Sequence, residues 1–116
     1  MSNNNLAPDG FNFIQESHGI NEYNLKSNGL RVLTLSDRSA PVATFMVTYH
    51  VGSRNEAIGY TGSTHLLEHL MFKGSRNFNK EKGTAIWDEL QSIGAQINAT
   101  TWNDRTNYFE VVPSEH

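Results

Sequence analysis

Cysteine is missing from the chain altogether. That excludes disulfides and thiolate ligands, so any metal would have to be held by His, Asp or Glu. No apolar run approaches the roughly 18 residues that a membrane-crossing helix needs. The opening MSNNNLAPDG has no charged segment followed by an apolar one, so no secretory signal is visible and a cytoplasmic location is expected. Basic runs are lacking too, and the formal net charge is -3. Neither nucleic acid nor an anionic membrane surface is expected as a partner. There is no internal repeat and no low-complexity tract.

What is present suffices for a core. Six Phe, four Tyr and two Trp lie among 116 residues that are 37% hydrophobic. This length makes one domain at most, or a piece of a larger one. Residues 1–20 read as a flexible polar lead-in, and 21–116 as the folded part. INEYNLKSNGLRVLTL predicts two short strands around Asn28-Gly29, a dipeptide that tolerates positive φ. VATFMVTYHV, Val42 to Val51, is rich in β-branched and aromatic residues and predicts a buried strand.

A glycine-containing loop, RNEAIGYTGST, leads into a predicted helix from Thr64 to Lys73, with Thr61 or Ser63 as cap and Gly74 as stop. A second helix is predicted from an Asn79 cap to Gly94, with Ile86, Leu90 and Ile93 on one face and Gly83 weakening its first turn. AQINATTWNDRTNYFEVV predicts two strands joined around Asn103-Asp104. This order of elements predicts an α+β fold, a mostly antiparallel sheet with helices packed on one face.

The chemistry gathers in GSTHLLEHLMFKGS, residues 62–75. At about 100° per residue, His65, Glu68 and His69 share an arc of about 100°. Leucine and methionine occupy the other directions, so the helix is expected to be buried with one polar strip. Two imidazoles four residues apart can reach one ion, and a carboxylate on the same face can reach a water bound to it. The plainer alternative is a core histidine pair hydrogen-bonded to Glu68. With five His in the chain, the pattern arises somewhere by chance with a probability of roughly 0.014. Burial of the strip favours the metal, because three polar groups on an apolar helix need a strong partner.

HLLEH at 65–69 resembles the inverted zinc-protease signature. VGSRNE, THLLEHLMFKGS and GAQINATTWNDRTNYF, in that order, are similar to the pitrilysin (insulinase-like) metallopeptidases, and most closely to the processing-peptidase-like subfamily. The likeness runs from about Asn21 to Val112. It implies the N-terminal part of a pitrilysin-family peptidase domain and a zinc-dependent endopeptidase acting on peptides or small unfolded proteins. His65 and His69 would be zinc ligands and Glu68 the general base. Asn98 and Ala99, on a sheet-edge strand, would bind the substrate backbone, a mode open to any extended peptide. The rest of such a peptidase, or a second subunit of the family, is the implied partner.

Two other functions stay open at this stage. One is a non-catalytic peptide-binding module using the Asn98-Ala99 strand; the other is an interaction domain with a satisfied histidine pair. GSRNE, with Arg54 and Glu56, reads as a packed loop entering the helix, and Trp87 and Trp102 as core or rim residues. The resemblance also places the third zinc ligand, a glutamate, beyond His116. The chain as given is therefore expected to bind zinc weakly and to be a poor protease.

Overall fold

The computed structural model describes residues 7–115. They fall into two compact units, one ending at Ala40 and the other beginning at Pro41.

The first unit is an antiparallel three-stranded sheet in the order β1-β2-β3, with β1 at Phe11–Ser17, β2 at Ile20–Leu25 and β3 at Arg31–Leu35. Strand β1 lies where a polar lead-in was expected; the earliest residues of that segment lie outside the described residues. The reason is aromatic pairing. Phe11 and Phe13 meet Tyr23 edge to face, with ring centroids 6.5 and 5.7 Å apart. Such pairs contribute about 0.5–1.5 kcal/mol beyond the area they bury. The turn between β2 and β3 falls at Asn28-Gly29 as expected, with Gly29 at φ 74° and Asn28 Oδ1 accepting from the Leu30 N–H.

The second unit carries β4 at Val42–Tyr49, α1 at Ser63–Met71, α2 at Ile86–Ser92, β5 at Gln96–Thr101 and β6 at Thr106–Pro113. Its antiparallel sheet has the order β4-β6-β5, so β6 is central and β4 and β5 are edges. Registers Val47↔Tyr108 and Ala99↔Tyr108 put Phe45, Val47, Ile97, Ala99 and Thr101 on one face with Tyr108. Both helices cover that face. Phe72, just after α1, packs edge to face on Trp87 of α2 at 5.4 Å, and its ring lies 6.0 Å from that of Tyr108. This is the α+β arrangement read from the element order.

Three local expectations are corrected. The second predicted helix is split. Asn79 caps only a single 3-10 turn, Lys80–Lys82, by accepting from the Lys82 N–H, and Gly83 at φ 66° ends it before α2 begins. β4 forms but is not buried: Phe45 is 60% exposed, because β4 is an edge strand and the helices lie nearer β5. Helix α1 was expected to bury its leucines. Instead Glu68 is its buried residue, and Leu66, Leu67, Leu70 and Met71 are exposed. Of the polar strip expected to be buried, only Glu68 turns in to β5, where the Thr101 hydroxyl meets it, and both histidine rings stay exposed.

Candidate metal centre

Helix α1 begins at Gly62, which adopts φ 90° and leaves the first helical N–H groups without a side-chain cap of their own. Neither Thr61 nor Ser63 caps it. Glu56 does, from the preceding loop: one carboxylate oxygen accepts from the Gly62 N–H at 2.8 Å and the other from the Thr64 N–H at 2.9 Å. The N-terminal end of a helix favours a negative charge, and these donors would otherwise be unpaired. Hydrogen bonds from the Thr64 and Gly62 backbone, then from the Thr64 side chain, hold the Glu56 carboxyl below its ordinary value of 4.5.

The same loop is fastened to the β5–β6 connection. Ser53 N–H donates to Trp102 O at 3.0 Å and Arg54 N–H to Asn103 O at 2.9 Å. Gly52 is the residue that permits this approach. A Cβ there would lie 2.1 Å from the Trp102 carbonyl oxygen and 2.6 Å from the Asn103 carbonyl carbon. The requirement at Gly52 is space, not an unusual φ, since its backbone is extended. Thr106, 4% exposed, ties the start of β6 to the loop by donating to Val51 O at 3.0 Å. The three sequence blocks that resembled the peptidase family are thus joined by hydrogen bonds.

On α1, the ring nitrogens Nε2 of His65 and His69 lie 3.1 Å apart. Ligand atoms of His65, Glu68 and His69 all lie within 4.8 Å of one another. Tetrahedral zinc with bonds of about 2.0–2.1 Å would separate two ring nitrogens by about 3.3 Å. The observed spacing fits a shared ion with little adjustment. Both imidazoles are exposed and reachable from solvent, while Glu68 is only 8% exposed. Glu68 bonds neither histidine. Its Oε2 accepts a hydrogen bond from the Thr101 hydroxyl of β5. The histidine pair is therefore not bonded to Glu68, and its two rings are instead at hydrogen-bond distance from each other. Among the described residues no other His, Asp or Glu joins the group.

Asn98 and Ala99 lie across from this helix on β5. Strand alternation sends their side chains to opposite faces, with Ala99 toward the helices and Asn98 toward solvent. Asn98 still reaches the open edge, because its Oδ1 accepts from the Ala99 N–H at 2.8 Å. That N–H points away from β6. A groove of about 550 Å³ runs along this edge, lined by Glu68, His69, Trp87, Asn98 and Ala99 among others. Lys73 and Lys80 stand at the same groove.

The residues that sequence reasoning undervalued are Glu56, Thr101 and Tyr108. Thr101 was legible in principle, being two residues from Ala99 and hence on the same strand face. Tyr108 stands in the centre of the sheet beneath the helices, and its phenol is pushed above 10.0 by burial first and by the Glu68 and Tyr49 charges next. It is therefore a neutral phenol at pH 7.

An antiparallel sheet under two helices, with His-x-x-Glu-His on the first helix, is the combination of fold and residues found in zinc metallopeptidases of the inverted-motif kind. The chain belongs to the insulinase family, peptidase family M16, whose sequence profile matches residues 31–116. It is 38% identical over 98 residues to an uncharacterized zinc protease of Streptomyces coelicolor, covering 83% of this chain and 21% of that protein. It is 40% identical over 85 residues to a probable mitochondrial-processing peptidase subunit beta of Arabidopsis thaliana, covering 73% and 15%. A third relative, at 39% over 88 residues, is cytochrome b-c1 complex subunit 1 of Homo sapiens, with 76% and 18% covered. Among solved structures, pitrilysin aligns with a TM-score of 0.78 at 27% identity, over 91% of this chain and 12% of its own. A protease from Helicobacter pylori aligns with a TM-score of 0.69 at 35% identity, over 77% and 21%. The chain thus spans at most about a fifth of the length of these relatives.

Proposed function

We propose that this chain is the zinc-bearing part of a metalloendopeptidase that hydrolyses peptides or small unfolded proteins. The observation that carries the reading is the triad on α1: two imidazole nitrogens 3.1 Å apart, with a buried carboxylate in the same group and the open edge of β5 alongside. His65 and His69 are the residues that would hold the zinc. When bound, zinc supplies Lewis acidity, bringing the pKa of a water to about 7 and polarising a carbonyl.

The chain's own residues do the rest. Glu68 has Oε2 engaged by Thr101, so Oε1 is the oxygen that takes the proton from the attacking water and returns it to the leaving amine. The Ala99 N–H is the donor for a substrate carbonyl when Asn98 Oδ1 swings away, and the peptide adds to β5 as a further strand. Main-chain pairing of this kind selects for extended, flexible chains more than for sequence. A catalytic zinc takes three protein ligands, and His65 and His69 supply two imidazoles among the described residues. Processing-peptidase subunit beta and cytochrome b-c1 complex subunit 1 are both named as subunits, which supports a family partner.

A second reading is a peptide-binding module without hydrolysis. The relative named as a cytochrome b-c1 subunit, not a peptidase, favours it. Replacing Glu68 by Gln separates the two. If the enzyme reading holds, cleavage of an unfolded peptide falls by about 10²–10⁴-fold while zinc stays bound. Cleavage that continues at the parent's rate removes Glu68 from the base role. Peptide binding in a parent that never cleaves leaves only the module.

A further inference from the structure

We propose that Thr101 is the positioning residue for Glu68, fixing the carboxylate relative to the strand edge that takes the peptide; the kinetic part of this inference rests on the peptidase reading above. Thr101 and Glu68 are 33 positions apart in sequence, on different elements, and are joined by a hydroxyl-to-carboxylate hydrogen bond. A bond to an ionised acceptor is stronger and better directed than one between neutral groups. Glutamate is a flexible side chain that a helix alone does not orient. Threonine is the opposite: β-branched, stiff at χ1 and anchored here in a strand. Its cross-strand neighbour is Thr106, which is buried and bonded to Val51 O at 3.0 Å. The hydroxyl that holds Glu68 therefore starts from a fixed point.

Strand geometry gives that fixed point its meaning. Thr101 and Ala99 lie on the same face of β5, one strand repeat or about 6.7 Å apart. A peptide paired at Ala99 takes its register from β5, and Glu68 takes its position from β5 through Thr101. One strand thus sets both the scissile bond and the base, and small displacements of a base are costly in rate. Ala99 supplies no side-chain handle and Thr100 points to the opposite face, bonded to Arg105. Among the described residues, Thr101 is the hydrogen-bond donor to Glu68.

The test compares Thr101→Val, which removes the hydroxyl at nearly constant volume, with Thr101→Ser, which keeps it. Two readouts are taken in the intact protein. The first is the side-chain carboxylate ¹³C resonance of Glu68 in the metal-free state, assigned by its loss in Glu68→Gln. The second is kcat and KM for peptide hydrolysis with zinc bound. Thr101→Val is expected to move the resonance and to lower kcat by roughly 10- to 100-fold with KM within about twofold. Thr101→Ser is expected to leave the resonance in place and kcat within about threefold. If Thr101→Val does not fold, Thr101→Ala takes its place with the same expectations. A Glu68 resonance that ignores loss of the hydroxyl overturns the proposal, as does parental kcat in Thr101→Val or a Ser variant as impaired as Val. If the parent cleaves no peptide at all, the peptidase reading falls, and the resonance alone still decides whether Thr101 holds Glu68.

Discussion

Glu68, His65 and His69 could be grouped from sequence because a helix places residues three and four apart on one face. What sequence could not give was the direction of that face. Burial falls on the carboxylate, while the two rings stay open to solvent. Glu56 shows a similar limit: local pattern suggested Thr61 or Ser63 as cap, but the partner comes from six and eight residues upstream of the amides it serves. Its lowered pKa has a direct consequence. The Glu56 cap is fully effective above the ordinary carboxyl value near 4.5 and is lost as pH falls through the lowered folded value. Glu56→Ala should therefore melt at a lower temperature than the parent at pH 7. That gap should close as the pH is taken below the lowered folded value, which thermal melts over a pH series will read. A gap independent of pH would mean that packing, not the charged cap, is what Glu56 provides. Removing one imidazole has a different signature: His65→Ala should abolish zinc binding while leaving the Glu56 cap, and hence α1, in place by far-UV circular dichroism.

Strand and helix identities were legible wherever period and punctuation agreed. The hairpin at Asn28-Gly29 and the β5–β6 pair around Asn103-Asp104 came through because turn residues bracket β-rich runs. Residues 11–17 were read as lead-in because β1 is polar apart from Phe11, Phe13 and Ile14, and its support is aromatic contact with Tyr23, which only the fold brings near. Helix two was read as continuous because Ile86, Leu90 and Ile93 carry a helical period, yet Gly83 stops the 3-10 turn before that period starts. The loop that ends in Glu56 is where elements are locked together, and Gly52 is its tightest point. Gly52→Ala must push its Cβ into the Trp102 and Asn103 backbone. We expect a loss of about 1–3 kcal/mol, since neither backbone segment can move alone. Urea unfolding of the two chains checks this. A Gly52→Ala chain as stable as the parent would mean that the loop is not held against the β5–β6 connection.

Taken as a whole, the chain buries little. Among the described residues only Gly52, Glu68, Ala85 and Thr106 are buried, while Phe45, Met46, Leu66, Leu67 and Leu70 are half exposed or more. A cleft of about 220 Å³ between sheet and helices, lined by Val47, Phe72, Leu90 and Tyr108, leaves part of the core unfilled. Folded domains retain 5–15 kcal/mol after large opposing terms cancel. A chain with so few buried side chains should lie at or below about 5 kcal/mol. Studied as 116 residues, it should bind a hydrophobic dye and unfold over a broad range of urea. A sharp, dye-free transition would show that the exposed apolar faces are covered in solution. Composition predicted a real core from the aromatic content, and it could not reveal that Phe45, Tyr60, Phe78 and Trp102 are half exposed or more.

Titration of zinc into the 116-residue chain and its variants tests the central claim most directly. The two-imidazole site predicts weak binding of one zinc per chain, lost in His65→Ala and in His69→Ala and retained in Glu68→Gln. Binding that survives loss of either histidine would contradict the account, and so would zinc that disappears in Glu68→Gln, which would make Glu68 a ligand and leave the reaction without its base.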